Sequence, residues 1–91
     1  MSTKALYLNI EQELIVPALQ EAVIGLDGAQ GEAVLDFSSV RRIDSSALRA
    51  LEDLARVADE KTIKVVLRGV NVDVHKVLKL LKLSQRFSFA N

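Results

Sequence analysis

The sequence Ala33-Val34-Leu35-Asp36-Phe37-Ser38-Ser39-Val40-Arg41-Arg42-Ile43-Asp44-Ser45-Ser46-Ala47-Leu48 changes character twice within a short span. It begins as an apolar run of strand length, of the kind buried on both faces of a parallel sheet. Ser38-Ser39 is a polar turn, and Val40 to Ile43 leads on to Asp44-Ser45-Ser46. Asp and Ser favour the amino end of a helix, because their side-chain oxygens accept from backbone N–H groups left unpaired there. The helix that follows carries Leu48, Leu51, Ala55 and Ala58 on one stripe, with Leu54 beside it. Arg49, Glu52, Asp53 and Arg56 mostly face water. A strand, a turn and a capped helix in this order make half of a crossover unit.

The flanks repeat the pattern. Downstream, Ile63-Lys64-Val65-Val66-Leu67 is a second strand, ended by Gly69. Asn71 or Asp73 caps a further helix with the stripe Val74, Val77, Leu78 and Leu81, and Phe87-Ser88-Phe89 adds a last short strand. Upstream, Ala5 to Leu8 reads as a first strand, while Glu13-Leu14-Ile15-Val16 fits either a strand extension or a helix start. Pro17 suits the first turn of a helix, where its missing N–H costs nothing, and it biases Val16 toward extended backbone. Leu19, Ala22, Val23 and Leu26 continue the helical pattern, Asp27-Gly28 closes it, and Gly28 to Gly31 is a loop. Strands alternating with helices imply right-handed crossovers and a largely parallel sheet. The expected fold is α/β: an about four-stranded, mostly parallel sheet with helices mainly on one face, one domain over residues 1–91.

Composition narrows the function. Hydrophobic residues make up 49% of the chain, enough for a patterned core, with Tyr7, Phe37, Phe87 and Phe89 the only aromatics. Lys plus Arg and Asp plus Glu stand at 12 each, without the basic surplus that neutralises phosphates in a nucleic-acid binder. With no cysteine there are no disulfides, thiolate chemistry or thiolate metal sites. Met1-Ser2-Thr3-Lys4 leads into a short mixed segment without a signal-peptide pattern, and no run approaches the ~20 apolar residues of a membrane span. A cytoplasmic protein, with no direct membrane insertion, is expected.

Enzyme chemistry lacks its parts. His75 is the only histidine, one residue off the apolar stripe of the third helix, with no imidazole or carboxylate partner at helical spacing. No Gly-x-Ser-x-Gly elbow is present, so Ser45 has no nucleophile framework. Gly28 and Gly31 do not form a phosphate-cradling loop. No catalytic residue, metal site or cofactor is expected, and the chain reads as a binding module. Lys76, Lys79 and Lys82, with Arg86 beyond, form a basic strip of the ordinary solvated kind. Asp44-Ser45-Ser46 remains the most informative site. A phosphate added there would meet the positive end of a helix dipole and add roughly two negative charges beside Asp44.

The run from Val34 to Leu51 resembles the signature of STAS domains, the family named for sulfate transporters and anti-sigma factor antagonists. There an apolar strand ends in Asp or Asn, and Asp-Ser-Ser/Thr-Gly-Leu follows about eight residues later. Val65-Val66-Leu67-Arg68-Gly69-Val70 and Val74 to Leu83 are similar to the family's next strand and last helix. The resemblance implies that Ser45 is the phosphorylated serine, with Ser46 the second candidate. It implies partner binding by Asp44, Ser45, Ser46, Ala47 and Arg49, and an anti-sigma factor or serine protein kinase as partner. Two features depart from the pattern. Ala47 stands where the family usually has glycine, and Asn9 to Leu14 replace the common Gly-Glu-Leu-Asp segment. The second departure looks like the small STAS subunits of bacterial phospholipid-transport complexes, which implies a transporter ATPase as the alternative partner, without phosphorylation.

Overall fold

In a computed structural model, residues 5–90 are described. The Met1-Ser2-Thr3-Lys4 segment, read above for a targeting signal, lies outside them. Strands and helices alternate without interruption: β1 (Leu6–Glu11), α1 (Ile15–Gly25), β2 (Glu32–Ser39), α2 (Ser45–Lys61), β3 (Lys64–Arg68), α3 (Val72–Leu80) and β4 (Ser88–Ala90). The four strands pair in chain order, β1-β2-β3-β4, and every pair is parallel. Parallel neighbours cannot be joined by hairpins, so each connection crosses over through a helix. Crossovers of one hand then stack all the helices on the same side.

Burial follows from this arrangement. Ala33, Leu35 and Phe37 of β2 and Val65 and Leu67 of β3 point at the helices and are buried. They meet Leu19, Ala22 and Leu26 from the α1 segment, Leu51, Leu54 and Ala58 of α2, and Val74 and Leu78 of α3. The expectation that β2 is buried on both faces fails. Val34 and Asp36, on its other face, are only half-buried, because no element covers that side. Registry aligns Tyr7, Val34, Val66 and Ser88 across this open face, and Val66 alone is well shielded by its neighbours.

The elements differ from their sequence outlines in several places. β1 runs three residues past Leu8, and the ambiguous segment resolves into a single 3₁₀ turn, Gln12–Leu14, followed directly by α1. Pro17 does lie in the first helical turn, but Val16 is helical rather than extended. Ile15 and Leu19 both reach the core from this start, and their burial outweighs the local bias before proline. In α2 the inner face is Ala47, Ala50, Leu51, Leu54, Ala55 and Ala58, while Leu48 is only partly covered. In α3 Asn71, not Asp73, is the cap. Leu81 leaves the core stripe and is exposed, its place taken by Leu83 and Phe87. The last strand is one residue later than expected, and Phe89 packs edge-on against His75 with ring centroids 4.8 Å apart.

Gly69, just after β3, has φ +73°, and a Cβ there would lie 3.0 Å from Ser38 Cβ and 3.2 Å from Ser38 Cα. Both the dihedral and the approach to backbone require glycine. Gly69→Ala is expected to destabilise the fold by about 1–3 kcal/mol. The reading is a lower urea midpoint at unchanged slope, and an unaltered midpoint would show that the turn relaxes freely.

Candidate functional site

Because the strands are parallel and sequential, all the strand-to-helix connections emerge at one edge of the sheet, the usual location of sites in open α/β folds. The β2–α2 connection occupies the middle of that edge. Its last residue, Asp44, has extended backbone (φ −94°, ψ −179°) and caps α2, with Oδ1 accepting from the Ala47 N–H at 2.9 Å. The Leu48 N–H then donates to the Asp44 carbonyl at 3.0 Å, the first full turn of the helix.

The cap sorts the residues that follow. Ser45 and Ser46 occupy the first two helical positions and are exposed, while Ala47 in the third turns into the core at 0% exposure. Arg49 is exposed one turn further along. The structure thus brings Asp44, Ser45, Ser46 and Arg49 together on one surface, with the Ala47 side chain beneath it. Among the described residues the side-chain hydrogen bonds of this corner come from Gln12, Asp44 and Asn71, and none engages the Ser45 or Ser46 hydroxyl. Ala47 is not among the residues with positive φ, so the fold itself does not demand the family's glycine there.

Two further residues hold this loop. Gln12, in the turn after β1, accepts through Oε1 from the N–H groups of Arg41 (2.7 Å) and Arg42 (2.9 Å), and its Nε2 donates to the Arg42 carbonyl (3.0 Å). Asn71, before α3, donates through Nδ2 to the carbonyls of Val40 (3.2 Å) and Arg41 (3.1 Å). Its Oδ1 accepts from the Val74 N–H at 2.7 Å, which caps α3. The sequence offers Asn71 or Asp73 as the α3 cap and shows neither tether to the loop. The partners lie about 30 residues apart, and nothing local in the sequence announces such a pair.

Charges of both signs lie around the serines: Arg42 shares one hollow with Glu13 and Asp44, and Arg49 another with Asp53. Arg41, Arg42 and Arg49 are all exposed, and none takes part in an ion pair among the described residues. Farther along α2, Arg56 is neutralised by Asp53 and Glu60. Ser46 and Arg49 also border a groove of about 500 Å³ between α1 and α2, floored by Val16, Val23, Ala50 and Val57. The basic strip on α3 is shorter than its sequence suggests, because Arg86 pairs with Asp59. His75 packs against Phe89, and no group of three or more metal-ligating side chains occurs among the described residues. No helix among them is long and apolar enough to cross a membrane.

The STAS domain model matches residues 9–91. The chain belongs to the STAS domain family. Solved structures similar to this STAS domain include a protein assigned as an anti-sigma factor antagonist from Thermotoga maritima, at 23% identity and TM-score 0.73, covering 100% of this chain and 75% of that one. A structure of the stressosome, a signal integration and transduction hub, matches at 24% identity and TM-score 0.75, over 99% of this chain and 84% of that one. A sulfate transporter family protein from Wolinella succinogenes matches at 15% identity and TM-score 0.73, over 94% and 75%. At such identities the likeness speaks for the fold, shared by STAS domains with different attachments. No curated protein sequence matches the chain.

At the end of β2 the Asp36 carboxylate accepts from the Ser38 hydroxyl, from the Ser38 N–H at 2.9 Å and from the Tyr7 hydroxyl at 3.4 Å. The Ser38 hydroxyl, then its N–H, hold the carboxyl below its ordinary value of 3.8; desolvation opposes them, and Tyr7 and the Arg68 charge add smaller lowering effects. A carboxyl whose pKa falls on folding stabilises the native state when ionised, and that contribution is lost as pH drops through the folded value. Asp36→Asn should therefore flatten the acid limb of stability against pH, followed as the urea midpoint from about pH 5 to pH 2. Parallel curves for the two proteins would show that Asp36 is not a source of the acid sensitivity.

Proposed function

We propose that this STAS domain, taken as one domain over residues 1–91, is an anti-sigma factor antagonist-like regulator. It works in the cytoplasm by binding a partner protein rather than by catalysis. The partner is an anti-sigma factor that is itself a serine kinase, and phosphorylation of Ser45, with Ser46 as the second site, controls its release. The observation that carries this reading is the pair of exposed serines at the start of α2, beside a cap already satisfied by Asp44. Because Asp44 serves the helix, neither serine is needed as the cap, and their hydroxyls remain open to an incoming enzyme.

The electrostatics give the switch a direction. Unmodified, the surface offers the exposed Arg49 and the positive end of a helix dipole, which suits a partner with acidic groups. A phosphate adds about two negative charges and three strong acceptors beside Asp44, with Arg49 one helical turn along. It competes for Arg49 and repels the partner's carboxylates, so modification releases the partner. Incubation with a partner serine kinase, followed by mass spectrometry, should place phosphate on Ser45 or Ser46. Ser45→Asp should weaken binding to that kinase while Ser45→Ala preserves it. A protein left unmodified at both serines has no such switch.

A second reading is favoured by the direct passage from β1 through one 3₁₀ turn into α1, with no Gly-Glu-Leu-Asp segment. On that reading the domain is a constitutive adaptor subunit on a transporter ATPase. Affinity capture separates the two: recovery of an ATPase or permease supports the adaptor, recovery of a serine kinase the regulator.

A further inference from the structure

We propose that Gln12 and Asn71 are positioning residues for the serine-bearing loop, acting from opposite sides to set how Ser45 and Ser46 are presented. The inference rests on the reading that this loop is the functional surface. Five hydrogen bonds from these two amide side chains take up the N–H groups of Arg41 and Arg42 and the carbonyls of Val40, Arg41 and Arg42. Arg41 and Arg42 are exposed, so water could satisfy much of this backbone. The tethers therefore fix a conformation more than they rescue buried polar groups. Gln12 belongs to the β1–α1 connection and Asn71 to the β3–α3 connection, so the central loop is held between its neighbours along the sheet edge.

The chemistry of an amide explains the choice of residue. Asn and Gln carry a neutral acceptor oxygen and a separate two-proton donor nitrogen at the same side-chain end, which suits a backbone with both kinds of free group. Asn71 divides the two functions: Oδ1 caps α3 while Nδ2 binds the loop. Holding the loop in one arrangement removes the ordering step from partner binding. A loop released from its tethers would populate the competent arrangement only part of the time, and apparent affinity would fall by that fraction.

Asn71→Asp keeps the acceptor that caps α3 but removes the donor to Val40 and Arg41. Gln12→Met keeps length without hydrogen bonds, and Gln12→Glu retains the acceptor for the two N–H groups. Trypsin reads the loop directly, because Arg41 and Arg42 are its cleavage sites, and urea unfolding reads the whole fold. Native-state cleavage at these arginines should be roughly tenfold faster in Asn71→Asp and Gln12→Met, with urea midpoints near wild type. Gln12→Glu should return the rate toward wild type, and Asn71→Ala, losing cap and tether together, should lose on both measures. Cleavage that is unchanged in Asn71→Asp and Gln12→Met, or that rises only in step with lost global stability, overturns the proposal. The assay uses no kinase or partner, so an unphosphorylated Ser45 would sink the switch and leave this result standing, and the converse holds.

Discussion

Four strands pairing in chain order, all parallel, leave one way to connect them: each must return across the sheet through a helix of the same hand. From that constraint comes nearly everything else. Three helices lie on one face, and the other face is left to Tyr7, Asp36, Val66 and Arg68. The strand-to-helix connections gather along one edge, where the Gln12 turn, the Asp44 loop and the Asn71 cap are neighbours although far apart in the chain. The sheet thus brings three short loops within hydrogen-bonding reach, which no one of them could arrange alone.

At the middle of that edge, a division of labour among four consecutive residues defines the surface. Asp44 satisfies an N–H that would otherwise be orphaned, and Ala47 plugs the first turn of α2 into the core. Between them Ser45 and Ser46 carry no structural duty that the hydrogen bonds reveal. A helix start bounded in this way is stable without its hydroxyls, which leaves them free for recognition or modification. Asp44 and the exposed Arg49 give that surface charges of both signs.

The parts that the sequence revealed are those governed by local chemistry. Asp44-Ser45-Ser46 and the Asn71–Asp73 segment announce helix starts, because capping is decided within three residues, although which residue caps is settled by the fold. The strands β2 and β3 and the helix between them follow from apolar spacing. Where tertiary packing decides, the sequence was silent or misleading. Val34 looks as buried as Leu35, since nothing in its own composition says that one sheet face lacks a covering layer. The start of α1 was set by the core's claim on Ile15, against the bias that Pro17 places on Val16. Leu81 matched the helical stripe but sits where α3 has already ended. Gln12 carried no signal, because its meaning lies in a loop some 30 residues away.

The most direct test of this account is amide hydrogen exchange, residue by residue, in the unmodified protein. The Arg41 and Arg42 amides lie on an exposed loop, yet both donate to Gln12 Oε1, and the Ala47 amide donates to Asp44. All three should exchange far more slowly than an unstructured peptide. If Arg41 and Arg42 exchange at peptide rates while β2 and α2 stay protected, the loop is not held, and the serine surface is not prearranged.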